Sequence, residues 1–345
     1  MLRNRTIDTN ASLLDAMKKM DFLDKKLLLV LNDDKFGGLI SIGDIQRAII
    51  QNKELNTPVH EVMRVNIRIG KPEDSYESIR QMMIDFRMEL CPVVDDKQNI
   101  IQVYFWEDLF ASVKPEPAKQ FNLPVIIMAG GIGSRLKPIT NVLPKPLIPI
   151  DERTIVEHIF ERFSKHGCNH FYMSVNFKAD LIEFYLKNQA LPYQIEYFKE
   201  EKPSGTAGSL SLLKGKINER FFVSNCDILI EQDYSEILDY HLENKNEITL
   251  VAVMKHYSIP YGTIETAENG SLLNLTEKPE ISYKINSGMY ILEPHLLDEI
   301  PENEFFHITD LIEKVLQRKG RAGVFPVSEK SWKDIGDWDN YLRDK

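Results

Sequence analysis

At 345 residues the chain is too long for one comfortable hydrophobic core and predicts two or three domains, while 43% hydrophobic and 27% charged residues are ordinary for a soluble globular protein. A formal net charge of -10 opposes the broad basic surface that nucleic-acid binding needs, yet leaves room for one local phosphate site. The amino terminus has no apolar signal segment, no apolar run is long enough to span a bilayer, and Cys91, Cys168 and Cys226 form no CxxC pair; together these predict a cytoplasmic protein with no nucleic-acid or membrane partner.

An approximate internal repeat, offset by about 63 residues, opens the chain. Ser12 to Met20 reads as an amphipathic helix followed by the strand LLLVL and then GGLISIGDI; Ser75 to Met83 reads as a second helix followed by CPVV and IIQVYFWEDL. This doubled order of helix, strand, strand and short helix over residues 1–112 resembles a tandem pair of CBS domains, a small α/β module. The resemblance implies a regulatory adenine-type nucleotide whose ribose meets Ser41 and Asp44 of Ser41-Ile42-Gly43-Asp44. The second copy has Phe105 and Asp108 at the corresponding places and so lacks the hydroxyl. Asp44 also suits a cap for the helix beginning at Ile45, and degenerate pairs of this kind serve as packing or dimerisation units, which makes a homo-oligomer a further expectation.

Residues 113–122, with Pro115 and Pro117, read as a linker to a second domain at 123–345. There VIIMA, FYMSV, IEYF and FFVSNCD alternate with helices at Thr154 to His166 and Ala179 to Leu186, which predicts a mostly parallel sheet flanked by helices. Thr154 and Glu157 form a candidate capping box, Gly167 a stop, and Ile155, Ile159 and Phe163 a core-facing stripe.

VIIMA runs into Gly130-Gly131-Ile132-Gly133-Ser134-Arg135-Leu136, where glycines at a strand end let backbone approach a phosphate. A dinucleotide-type GxGxxG would need glycine at Leu136, and no GK[ST] follows for a P-loop. The longer stretch Ala129 to Ile150, AGGIGSRLKPITNVLPKPLIPI, resembles the signature of the sugar-1-phosphate nucleotidyltransferase family, with Arg135 and the proline-flanked Lys145 as paired cations. The resemblance implies a Rossmann-like α/β domain that binds a nucleoside triphosphate through Ala129, Gly130, Gly131, Gly133, Ser134, Arg135 and Lys145. The sugar-phosphate oxygen that attacks the α-phosphorus is already ionised at neutral pH, so catalysis reduces to alignment, charge neutralisation and Mg2+ coordination.

The metal ligands implied are Asp227, closing the strand FFVSNCD, and Asp334 in Trp332-Lys333-Asp334-Ile335-Gly336; Asp233, Asp337 and Asp339 match no ligand position and read as caps or surface groups. Tyr261-Gly262, Glu277-Lys278-Pro279 and Asn286-Ser287-Gly288 resemble, in order, the family's sugar-phosphate pocket, which implies roles for Gly262, Glu277, Lys278, Asn286 and Gly288. Pro203-Ser204-Gly205-Thr206-Ala207-Gly208 is similar to the PxGTAG segment of the guanylyltransferase branch, where thymidylyl and uridylyl relatives often carry leucine at the place of Thr206. That similarity, with Asn176 at a base-contact position, implies GTP as donor through Gly205 and Thr206. His166, Cys168 and His170 span a helix end and a strand, so they read as structural and not as a metal site.

The whole-chain arrangement resembles the glucosamine-1-phosphate guanylyltransferases of legionaminic acid biosynthesis, which implies α-D-glucosamine 1-phosphate as acceptor and GDP-glucosamine with pyrophosphate as products. Mannose- or heptose-1-phosphate guanylyltransferase, glucose-1-phosphate uridylyltransferase, and an inactive nucleotide-sensing regulator are the rival readings.

Overall fold

The computed structural model describes residues 4–109, 118–200 and 204–336. Asp337, Asp339, Pro203 and the first part of the expected linker lie outside the described residues, as does the side chain of Asp108. Two compact units divide the chain, Met1–Glu116 and Pro117–Lys345.

In the first unit the elements are β1 (Thr6–Asp8), α1 (Leu13–Leu23), β2 (Leu27–Asn32), β3 (Lys35–Ser41), α2 (Ile42–Ile50), α3 (Tyr76–Asp85), β4 (Leu90–Val94), β5 (Ile100–Phe105) and α4 (Trp106–Leu109). Helix, strand, strand, helix therefore occurs twice. β1 runs parallel to β2, and an isolated parallel bridge from Gly70 to Val93 occupies the equivalent place beside β4. Ser41 and Asp44 cap a helix. The Asp44 amide donates to Ser41 Oγ at 3.2 Å, while Asp44 Oδ2 accepts from the Ser41 amide at 2.8 Å and its hydroxyl at 2.6 Å, closing a capping box on α2. Arg64 Nε at 3.0 Å and Arg47 neutralise the same carboxylate. Phe105, which stands where a second hydroxyl would be, is buried under the Arg5 guanidinium.

The second unit continues with β6 (Val125–Met128), β7 (Pro149–Ile150), β8 (Arg153–Thr154), α5 (Ile155–Ser164), β9 (His170–Val175), α6 (Ala179–Asn188), β10 (Gln194–Lys199), β11 (Phe221–Asn225), β12 (Ile228–Ile230) and α7 (Tyr234–Glu243). It ends with β13 (Ile248–Ser258), β14 (Thr263–Thr266), β15 (Leu272–Thr276), β16 (Glu280–Leu292), α8 (Ile308–Gln317), β17 (Ala322–Ser328) and β18 (Trp332–Asp334). Seven strands make one sheet in the order β10-β9-β6-β11-β16-β13-β17, all running one way except β16.

Both faces are buried at the centre of this sheet, which is why β6, β9 and β11 read as nearly continuous apolar runs. Val125, Ile127, Phe222 and Ile291 face α5, α6 and α7; Ile126, Phe221, Val223 and Leu292 face α8 and two 3-10 turns. Period-two alternation thus divides each strand between two cores. Each such side chain, fully buried, stabilises the fold by about 1.5–3 kcal/mol. α5 shows the local logic: Glu157 accepts from the Thr154 amide at 2.8 Å and hydroxyl at 2.6 Å, and Ile155, Ile159 and Phe163 are buried. His166 and His170 do not meet at a metal. His166 Nδ1 pairs with the Lys119 carbonyl at 3.0 Å, and His170 Nε2 pairs with Glu196 at 2.8 Å.

Chain order sets the position of the functional crevice. From β6 the chain steps outward through β9 to β10, then returns to lay β11 on the other side of β6. At such a switch point the loops leaving the carboxyl ends of β6 and β11 part in opposite directions and leave a crevice. No helix among the described residues is long and apolar enough to cross a membrane.

Candidate active site

The loop after β6 forms one wall of the crevice. Gly133 adopts φ +69°, a left-handed conformation, and a Cβ there would stand 2.9 Å from Thr140 Cγ2, so the turn requires glycine. It leads into the 3-10 turn Ser134–Leu136, which aims Arg135 across the crevice while Ser134 itself stays on the exposed loop surface. Ala129 is buried behind the loop, its amide donating to the Ser174 carbonyl at 3.0 Å. Lys145 begins a second 3-10 turn, Lys145–Leu147, whose entry Pro144 and interior Pro146 hold the backbone still.

The opposite wall follows β11. Asp227 lies two residues beyond the strand end, and its neighbour Ile228 pairs with Asp334 in the β12–β18 ladder. The Ile335 amide donates to the Asp227 carbonyl at 2.9 Å. This register sets the two aspartates side by side, far apart as they are in sequence. Burial, with the neighbouring Asp227 charge, holds the Asp334 carboxyl above the ordinary carboxylate range. Lys145 Nζ contacts Asp227 Oδ2 directly; Arg135 lies 3.9 Å from Asp227 Oδ2 and 4.0 Å from Asp334 Oδ2.

One point in the crevice defines the geometry. A Cβ placed on Gly336 would stand 2.6 Å from Asp334 Oδ1, 2.7 Å from Asp227 Oδ2 and 2.8 Å from Arg135 Nη2. Two carboxylate oxygens thus converge beside Gly336, whose own amide donates to Asp334 Oδ1 at 2.8 Å. Hard oxygen ligands from two carboxylates suit Mg2+, which keeps its other positions for phosphate and water. The donor set fits that ion.

Two cavities adjoin at Arg135 and Asp227. A 340 Å³ cleft is lined by Gly130, Gly131, Gly133, Lys145, Glu200, Gly205 and others; a 430 Å³ cleft by Asn286, Gly288, Trp332, Asp334 and others; Arg135, Thr206, Asn225 and Asp227 line both. Thr206 also has a structural task, its hydroxyl accepting from the Ile308 amide at 3.0 Å at the start of α8. Gly205 is forced by contact as well as conformation: at φ +83° a Cβ would meet the Phe306 carbonyl oxygen at 2.5 Å.

Asn176 stands beside the glycine loop, its Cβ 3.6 Å from the place of a Cβ on Gly130, and its side-chain amide donates to the Glu200 carbonyl at 2.8 Å. Gly262, Glu277 and Lys278 line neither cleft. They sit at the root of the exposed β14–β15 hairpin, where a Cβ on Gly262 would be 3.0 Å from Glu277 Oε2. The cause is that β13 and β16 overrun the sheet, pairing as far as Ser258 with Glu280, and carry the hairpin outward.

Sequence reasoning also missed Glu200, Asn225 and, as a spacer, Gly336. Glu200 Oε1 would stand 2.8 Å from a Cβ on Gly130, and the same carboxylate accepts from the Ser174 hydroxyl and, at 3.1 Å, from the Ser204 amide.

A phosphate-bearing ligand accounts for cations and carboxylates sharing one crevice at a sheet switch point, which places the protein among nucleotide-binding α/β proteins. A match of residues 124–345 to the family model described as Nucleotidyl transferase makes the assignment specific: the chain belongs to the nucleotidyl transferase family. It is 32% identical over 230 residues to the mannose-1-phosphate guanylyltransferase catalytic subunit beta of Xenopus tropicalis, covering 64% of this chain and 63% of that protein. It is 29% identical over 223 residues to the mannose-1-phosphate guanylyltransferase of Mycobacterium tuberculosis, covering 63% and 62%. The chain therefore spans less than two thirds of the length of these curated relatives. Among solved structures it is similar in fold to HddC from Yersinia pseudotuberculosis, with a TM-score of 0.50, 24% identity, and coverage of 64% of this chain and 97% of that one. HddC has also been solved complexed with GMP-PN.

Proposed function

We propose that this chain transfers GMP from GTP to a sugar 1-phosphate with Mg2+, releasing pyrophosphate. The observation that carries this reading is the meeting of two clefts at Arg135 and Asp227, one walled by the glycine loop and the other by Asn286, Gly288 and Asp334. A triphosphate in the first and a sugar phosphate in the second would bring their phosphates together between the cations. The sugar-phosphate oxygen bonds to the α-phosphorus as the bond to the pyrophosphate oxygen breaks. Bound Mg2+ supplies Lewis-acid neutralisation of the phosphates. Asp227 and Asp334 would hold it, Arg135 and Lys145 would stabilise the developing charge, and Gly130, Gly131 and Gly133 would let the backbone approach the phosphates. No side-chain base is needed.

GTP is favoured by the carboxylate of Glu200 at the glycine-loop cleft. Guanine presents two adjacent donors, N1–H and the 2-amino group, which a carboxylate accepts together; uracil and thymine present one donor between acceptors. Glu200→Gln should lower kcat/KM for GTP by about tenfold to a hundredfold and narrow the preference for GTP over ITP, which lacks the 2-amino group. An unchanged GTP:ITP ratio would remove Glu200 from base reading.

For the acceptor we read α-D-glucosamine 1-phosphate, on the resemblance of the whole-chain arrangement, to give GDP-glucosamine of the kind legionaminic acid synthesis uses. Mannose 1-phosphate is the second reading, favoured by the activity named for the curated relatives. Pyrophosphate release across a panel of nucleoside triphosphates and sugar 1-phosphates decides between them. Turnover of no pair in the panel would overturn the enzymatic reading.

A further inference from the structure

Lys145 and a divalent ion would want the same atom. Asp227 Oδ2 is the oxygen that Lys145 Nζ contacts and also one of the two that converge on the pocket beside Gly336. The contact is shielded, since the Asp227 side chain is 9% exposed and that of Lys145 12%, so attraction between them is weakly screened. Two carboxylates, Asp227 and Asp334, are balanced within this cluster by two cations, Arg135 and Lys145. A bare divalent ion would bring two further positive charges to a balanced group and would have to turn Lys145 away from its partner. A triphosphate changes that balance. Lys145 lines the same cleft as Gly130, Gly131 and Gly133, so phosphate oxygens bound there lie within the swing of its side chain. Prolines fix its backbone on both sides, which leaves the move to rotamers of the four-carbon stem.

We infer that Lys145 is a placeholder for the metal: it holds Asp227 Oδ2 until a nucleoside triphosphate takes the ammonium, which frees that oxygen for the divalent ion. Metal and triphosphate then bind cooperatively, and by linkage each raises the other's affinity by the same factor. This rests on the metal and triphosphate sites proposed above.

The test is Mn2+ titration of the full chain, followed by the electron paramagnetic resonance of free Mn2+. The titration is run alone and with the triphosphate that the substrate panel selects, sugar phosphate omitted, and the Mn2+ taken up by the triphosphate itself, measured without protein, is subtracted. Wild type should bind Mn2+ weakly alone and at least about tenfold more tightly with triphosphate. Lys145→Met should bind Mn2+ alone about tenfold more tightly than wild type and gain less from triphosphate. Mn2+ alone should raise the melting temperature of the variant more than that of wild type, because only the variant leaves Asp227 Oδ2 without the ammonium. Lys145→Gln repeats the measurement should the methionine variant fold poorly. The inference is overturned if neither variant binds Mn2+ alone more tightly than wild type, or if triphosphate leaves wild-type affinity unchanged. Asp227→Asn separates the two levels. Loss of Mn2+ binding with triphosphate in Asp227→Asn, alongside unchanged lysine variants, sinks only the placeholder; retention of binding in Asp227→Asn sinks the metal site and the placeholder with it.

Discussion

Replacing Asp227 by asparagine is expected to lower kcat by about a thousandfold with Mg2+ present, the scale seen when one preorganised charge group is removed from a reacting phosphate or oxyanion. The amide keeps the shape of the side chain and its place beside Ile228, so the β12–β18 ladder should form as before. What is lost is charge: a neutral oxygen binds Mg2+ weakly, and Lys145 loses its anionic partner. Steady-state pyrophosphate release over a Mg2+ series, with a thermal melt to check folding, measures this. A rate within tenfold of wild type and an unaltered Mg2+ dependence would show that Asp227 is no ligand.

Gly336→Ala should be nearly as damaging, by volume and not by charge. The added methyl would stand 2.6–2.8 Å from Asp334 Oδ1, Asp227 Oδ2 and Arg135 Nη2, filling the point on which the two carboxylates converge. Backbone conformation at this glycine accepts an L side chain, so the fold should survive. kcat/KM should fall by about a hundredfold or more, the usual consequence of displacing reacting groups by about an ångström. Full activity in the alanine variant would mean that no ligand uses the pocket.

Much of the second unit was legible in its sequence because the governing interactions are local. Strand runs that are apolar on both faces, the Thr154–Glu157 cap and the Ile155-Ile159-Phe163 stripe follow from periods of two and 3.6, and the structure has them. The glycine loop was equally readable, since a left-handed Gly133 and an open approach at Gly131 are properties of those residues themselves. In the first unit the doubled element order was visible, and Ser41 and Asp44 form the cap that their spacing also suited, because a hydroxyl and a carboxylate three residues apart serve a helix N-terminus as readily as a sugar.

The remaining expected residues depend on tertiary contacts. Gly262, Glu277 and Lys278 lie at the root of the hairpin that the overrun of β13 and β16 carries outward, and Asn176 stands beside Gly130 with its side-chain amide on the Glu200 carbonyl. Glu200 has no local signature, and its importance comes from Gly130, which is distant in sequence and has no Cβ to obstruct it.

By itself the sequence determined the alternating α/β class and the glycine-rich turn after β6. Tertiary structure alone decided that Ile228 pairs with Asp334, that Arg135 reaches both aspartates and that Gly336 leaves a space among them. Periodicity reports which face of an element is buried, but register between distant strands is selected by the packing of the whole sheet, and an active site assembled from strand ends inherits that dependence.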